Sequence, residues 1–330
     1  MNNFEEECKN TILKVQEMLH DNNEWISRFE EYAKKIHLNL DTIRRNNQKF
    51  HLRKPLYLYM NLSAATSHKT FSLRYLGQDV AMLKVRKDKI TISSKGFVDN
   101  NLRDFGCKIE LRDCDWDSRE ASSFRSHFSA YFERTKNSKK QNEEHRIESL
   151  LLTEFSKTKS TDKILCNIQP VKLAGITRFQ MPTPLSASNM NNLRYSGKDG
   201  GGIDILARIG RGNGTKLCII EVKDENVPKE PPTKAIQQSL TYAIFIRELL
   251  RSSCGEAWWK LFGYTRNLPK KLDLYVAYAM PSNSCNNTTF ADQKFEIKED
   301  RFHLHYMYFQ EKDNKASEII SSLKLLKPKS

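Results

Sequence analysis

The chain has 330 residues, 38% of them hydrophobic and 28% charged, with 54 Lys and Arg against 40 Asp and Glu, a net +14. This length suits about two domains with a real core, no apolar run approaches the ~20 residues that span a bilayer, and the acidic opening MNNFEEECKN does not read as a signal peptide. The excess charge is spread evenly, with 26 basic and 19 acidic residues over 1–140 and 28 and 21 over 141–330, a balance that favours a polyanionic partner, most simply nucleic acid.

In chain order, residues 4–47 read as two or three helices, because TILKVQEMLH and WISRFEEYAKKIHLNL place apolar residues three and four apart. Residues 55–111 change character. TFSLRYLG, VAMLKV and KITISS are short, β-branched or aromatic, and separated by turn-like pairs, which predicts a small antiparallel meander. Its 11 basic and 5 acidic residues over 51–110 are read first as a solvated sheet face, and second as a face for phosphates. SREASSFRSHFSAYFERTK predicts a helix whose Phe124, Phe128 and Phe132 share a packing face. The polar NSKKQNEE then marks a boundary: an N-terminal recognition or regulatory region, 1–140, precedes a second domain, 141–330.

In that second domain NEEHRIESLLLTEFSK reads as a helix and KILCNIQPVKL as a strand. GGIDILARIG, RGNGT and KLCIIEVK read as strand, turn and strand, a hairpin. PPTKAIQQSLTYAIFIRELLRSS is a long helix entered through a proline pair, and LDLYVAYAMP is a buried strand. RFHLHYMYF is another strand and ASEIISSLKLL a closing helix. The order predicts an α/β fold with a mixed sheet flanked by helices. Seven widely spaced cysteines without a CxxC pair indicate free thiols in a reducing cytoplasm, neither a disulfide framework nor a zinc ribbon.

The hairpin brings chemistry together. The start of its first strand lies beside the end of its second, so Asp204 meets Glu221 and Lys223. Period two puts Glu221 and Lys223 on one face and Ile220 and Val222 on the other. Adjacent carboxylates repel unless a divalent cation sits between them, and hard oxygen ligands suit Mg²⁺ or Mn²⁺. A lysine beside such a site orients a water or stabilises charge on a phosphate. The competing reading, an exposed cross-strand pair, sits poorly with strands this apolar.

Asp204, 16 intervening residues, then Glu221-Val222-Lys223 resembles the motif of the PD-(D/E)xK nuclease superfamily, the restriction-endonuclease-like fold. The resemblance covers roughly residues 141–285. Gln238 and Tyr242, at i and i+4 on the following helix, match the QxxxY element of its RecB-like and phage-exonuclease-like branches. Ile203 stands where the founding motif has proline. The superfamily takes a further glutamate from the preceding helix: Glu148 is the expected one, because it shares a face with Leu152 and Phe155, and Glu144 is its reserve. Asp199 is an alternative ligand in the loop before the strand. The resemblance implies a metal-dependent nuclease acting on DNA in preference to RNA, with a role in defence against foreign DNA. Asp204, Glu221 and Glu148 would hold the metal, Lys223 would position the water, and Gln238 and Tyr242 would orient site and substrate. The alternative is a catalytically silent protein of the same fold, used as a nucleic-acid-binding or scaffold module. Residues 1–140 would serve a protein partner or a second copy of the chain, and every expected ligand lies after them, so 141–330 is expected to carry the metal site alone. His303 and His305 are read as solvated or packed histidines, and Trp258-Trp259 as core or helix-end packing. The basic, aromatic stretch LFGYTRNLPKK has contact with a nucleic-acid backbone as its lesser reading.

Overall fold

The computed structural model describes residues 3–50, 55–62, 69–86, 89–95, 105–134, 143–156, 168–210, 212–291, 293–313 and 315–323. Three helices open the chain, α1 (Asn3–Asp21), α2 (Glu24–Leu38) and α3 (Leu40–Lys49). A meander follows: β1 (Leu56–Met60), β2 (Lys69–Tyr75), β3 (Gln78–Arg86) and β4 (Lys89–Ser94), each antiparallel to the next. The short β5 (Cys114–Asp115) adds to β4, and α4 (Arg119–Arg134) buries Phe124 and Phe128 as its spacing predicts. The side chain of Phe132 and most of the expected boundary, 135–142, lie outside the described residues.

The second half begins with α5 (Glu143–Phe155) and β6 (Ile168–Pro170). It continues through β12 (Ile205–Ile209), β13 (Lys216–Val222), α6 (Pro232–Arg251) and β14 (Asp273–Pro281). β6, β12 and β13 are successively antiparallel. α6 then crosses over, so β13 and β14 are parallel. β16 (Asp300–Lys312) extends the sheet in parallel, and β15 (Lys294–Ile297) and β17 (Lys315–Ser321) cap its outer edge. The chain is therefore α/β with a mixed sheet.

β13 is central, and its apolar run is buried on both faces. Leu217 and Ile219 face the core under α6; Cys218, Ile220 and Val222 face the core under α5. α6 is buried around nearly its whole circumference. Beyond it α1 supplies a stripe, Phe4, Cys8, Ile12, Val15 and Leu19. α2 adds Phe29, which meets Phe245 and Trp258 edge-on or tilted at 5.2 and 5.8 Å, while the Trp258 indole donates to the Phe29 carbonyl. Two strands also join the halves: β7 (Arg178–Phe179) pairs in parallel with β1.

Two expectations are corrected. ASEIISSLKLL does not close as a helix. Its described part is β17, because Ala316, Ile319, Ser321 and Leu323 fill the core and β16 offers a free edge to pair with; residues 324–326 lie outside the described residues. GGIDILARIG is not one strand. β11 (Gly202–Ile203) pairs with β8 (Met181–Pro182), and the chain bends at Asp204 before β12. KILCNIQPVKL contributes β6 and, at 163–167, lies outside the described residues. β15 and the short segments β7, β8 and β11 lack enough periodicity to read from the sequence. No helix among the described residues is long and apolar enough to cross a membrane.

Candidate metal centre

The site forms where β12 and β13 end. Ile205 pairs with Ile220, so the next step in register sets Asp204 opposite Glu221. The bend at Asp204 takes its backbone out of the ladder. Its carboxylate Oδ2 then accepts the backbone N–H of Val222 at 2.9 Å, fixing it across the hairpin. α5, on the opposite face from α6, supplies the third carboxylate. Glu144, Asp204 and Glu221 each present an oxygen within 4.8 Å of the others. Glu144 and Asp204 are half-buried and Glu221 is buried.

Lys223 closes the cluster. Its Nζ donates to Glu144 Oε1 at 2.8 Å and to Glu221 Oε1 at 2.9 Å. Glu221 Oε2 is buried and, among the described residues, receives no donor. Burial, followed by the charges of Glu221, Glu148 and Glu144, pushes the Asp204 carboxyl well above its ordinary value. Burial also raises Glu221, to about 7, although Lys223 opposes the shift. For Lys223 burial favours the neutral amine, but Glu221 and Glu144 outweigh it, and its pKa is raised. The ammonium therefore stays charged at neutral pH.

The expected residues arrive unequally. Asp204, Glu221 and Lys223 converge as the hairpin predicts. Glu144, the reserve, joins them directly. Glu148 sits one turn further along α5, 1% exposed, with Oε2 at 3.4 Å from His145 Nδ1, and adds its charge to the field at Asp204. Tyr242 is buried, and that burial, followed by the charge of Glu221, raises its phenol against the opposing hydrogen bond with Gln238. A Cβ on Gly201 would come within 2.9 Å of Tyr242 Oη, so the glycine run before Asp204 lets the phenol approach the backbone. Asp199 lies in a 3₁₀ turn, Gly197–Asp199, outside the cluster. His303 pairs with Asp273 and His305 with Ser322, also away from it.

One contributor has no sequence signal for its role. Gly77, in the β2–β3 turn, has φ +78°, and a Cβ there would lie 2.0 Å from the His145 carbonyl oxygen. The N-terminal meander thus abuts the first turn of α5, beside Glu144.

The donor set fits a hard divalent cation. It offers three carboxylates, one oxygen of which lacks a donor, at a spot where burial makes uncompensated negative charge costly. Compared with protein-family models, curated proteins and solved structures, the chain matches none.

Proposed function

We propose that the chain is a divalent-metal-dependent nuclease of the restriction-endonuclease-like type, hydrolysing phosphodiester bonds with DNA as its preferred substrate. The observation that carries the reading is the partly buried Glu144–Asp204–Glu221 cluster closed by Lys223, set on a helix, three antiparallel strands, a crossover helix and a parallel strand. The net +14 of the chain supports a polyanionic substrate.

Asp204, Glu221 and Glu144 would hold Mg²⁺ or Mn²⁺, with Glu148 behind them. When bound, such a cation offsets the carboxylate repulsion and stabilises charge developing on a phosphate. Lys223, held charged, spends two donor hydrogens on Glu144 and Glu221 and has a third for a water or phosphate oxygen. It therefore orients and stabilises; it does not accept the proton. Tyr242, hydrogen-bonded with Gln238 and within electrostatic reach of Glu221, would orient the site and the substrate strand.

The test is incubation of the full chain with circular and linear, single- and double-stranded DNA, with Mg²⁺, Mn²⁺ or chelator. Metal-dependent cleavage is expected, and cleavage of the circles would show that no free end is needed. DNA binding without cleavage of any substrate would favour the silent, nucleic-acid-binding alternative.

A further inference from the structure

At the other end of the β12–β13 hairpin the molecule holds a second basin. Lys216, at the start of β13, lines it, and Glu221 is five residues further on, roughly 17 Å along the strand. The basin is a cavity of about 300 Å³, at the lower end of the range for small-ligand pockets. Among the described residues four cations line it, Arg208, Lys216, Arg266 and Lys271, against one carboxylate, Asp273. That carboxylate is already compensated: Lys216 Nζ lies 2.8 Å from its Oδ2 and His303 Nε2 lies 3.1 Å from its Oδ1. Arg266 and Lys271 are exposed, and neither side chain has a carboxylate partner among the described residues.

The wall is built, not incidental. The helix α7 (Gly255–Leu261) ties down the loop that carries Arg266. Lys260 Nζ donates to the carbonyls of Thr265 and Arg266 at 2.8 Å, the Trp259 indole donates to the Arg266 carbonyl at 3.0 Å, and Glu256 accepts the Leu268 N–H at 2.9 Å. Tyr264 stacks on Trp259 with centroids 3.6 Å apart and planes 7° from parallel. Gly263, at φ +89°, leaves the space in which the Arg208 guanidinium sits, 2.9 Å from where a Cβ would be. Arg208 donates to the Gly263 carbonyl at 2.8 Å, yet its Nε, like Tyr264 Oη, is buried without a hydrogen-bond partner among the described residues. A fixed cationic wall with unspent donors matches a compact, multiply charged oxyanion, and Arg with Lys suits phosphate.

We infer that this basin is a phosphate-recognising site for a phosphate monoester of nucleotide size, separate from the carboxylate cluster. Calorimetric titration of the full chain in chelator tests it, with inorganic phosphate, adenosine monophosphate, and one oligonucleotide with and without a terminal phosphate. Binding of the monophosphate is expected, weakened by about tenfold or more in a double variant Arg266→Ala/Lys271→Ala. Both side chains are exposed, so the melting temperature of that variant should match the parent without ligand. Its Mn²⁺ affinity should also be unchanged, which separates this site from the metal centre. Binding confined to the phosphorylated oligonucleotide, and lost in the double variant, would support the site and assign its phosphate to a nucleic-acid terminus. No binding of any phosphate, or equal binding by parent and double variant, would overturn the inference.

Discussion

At the scale of single residues, Lys223 decides between catalysis and architecture. It is 8% exposed and bridges two carboxylates, so Lys223→Met leaves Glu221 buried without its cation. Breaking a buried pair from one side costs on the order of 3–5 kcal/mol. The metal-free melting temperature should therefore fall, and Mn²⁺ should restore it, because the three carboxylates remain. Cleavage should stay down by about a hundredfold or more with metal bound, the scale of losing one preorganised electrostatic group. Asp204→Asn should differ, losing Mn²⁺ affinity together with cleavage. Full activity in the Lys223→Met protein would remove Lys223 from the chemistry. The carboxylates also set a pH dependence. Asp204 and Glu221 are raised in the fold, Glu221 from 4.5 to about 7. The folded protein thus binds more protons than the unfolded chain across that window. Their contribution to metal-free stability is complete below the unfolded values and is lost as pH rises through about 7. A divalent cation needs the ionised forms, so its stabilising effect should grow over the same interval. Melting curves at about pH 5.5 and about pH 8, with chelator or Mn²⁺, check this. The slope should flatten in Asp204→Asn/Glu221→Gln, and a Mn²⁺ effect independent of pH would contradict it.

At the scale of elements, the position of α5 is what the site depends on. Glu144 and Glu148 share a helix face, one turn or roughly 6 Å apart. Which one meets Asp204 and Glu221 is set by how far α5 slides along the sheet. The β2–β3 turn bounds that slide on one side, because Gly77 abuts the His145 carbonyl, while Arg146 ties the same turn of α5 to Glu311 of β16. Gly77→Ala should therefore displace the first turn of α5 and weaken Mn²⁺ binding, besides costing on the order of 1–3 kcal/mol for a left-handed alanine. Gly175→Ala is the matched control: φ is +73° there, and nothing among the described residues lies within 4 Å of a Cβ. It should be destabilised by strain with Mn²⁺ affinity intact. Equal Mn²⁺ affinity in both variants would show that the turn does not position Glu144.

At the scale of the whole molecule, the ligands and their supports belong to different halves of the chain. Every carboxylate of the cluster follows residue 140. The helix behind Tyr242, however, is covered by α1 and α2, and β7 takes its backbone pairing from β1. A fragment of residues 141–330 would expose the outer face of α6 together with Trp258 and Phe245, a large apolar surface. It should bind a hydrophobic dye, melt without a cooperative transition, and bind Mn²⁺ more weakly than the full chain. A fragment that melts cooperatively and matches the full chain in Mn²⁺ affinity would show that the N-terminal half is dispensable to the site.

Local features account for what the sequence by itself determined. The Gly/Asn turn at 211–215 and the alternation in KLCIIEVK were enough to predict the hairpin and to place Asp204, Glu221 and Lys223 together, since both depend on near neighbours in the chain. Gln238 and Tyr242 fall on one helix face for the same reason. Only the tertiary structure chose Glu144 over Glu148 for the cluster, because spacing along a helix is blind to its translation. Only it made 315–321 a strand, because the three- and four-residue spacing of Ala316, Ile319 and Leu323 fits a helix as well, and the edge of β16 decided between them. Gly77 looked like an ordinary turn residue until His145, 68 positions away, came to rest against it. Contacts of that range leave no period in the sequence; they arise from which faces remain apolar once the local elements have formed, and from how those faces are covered.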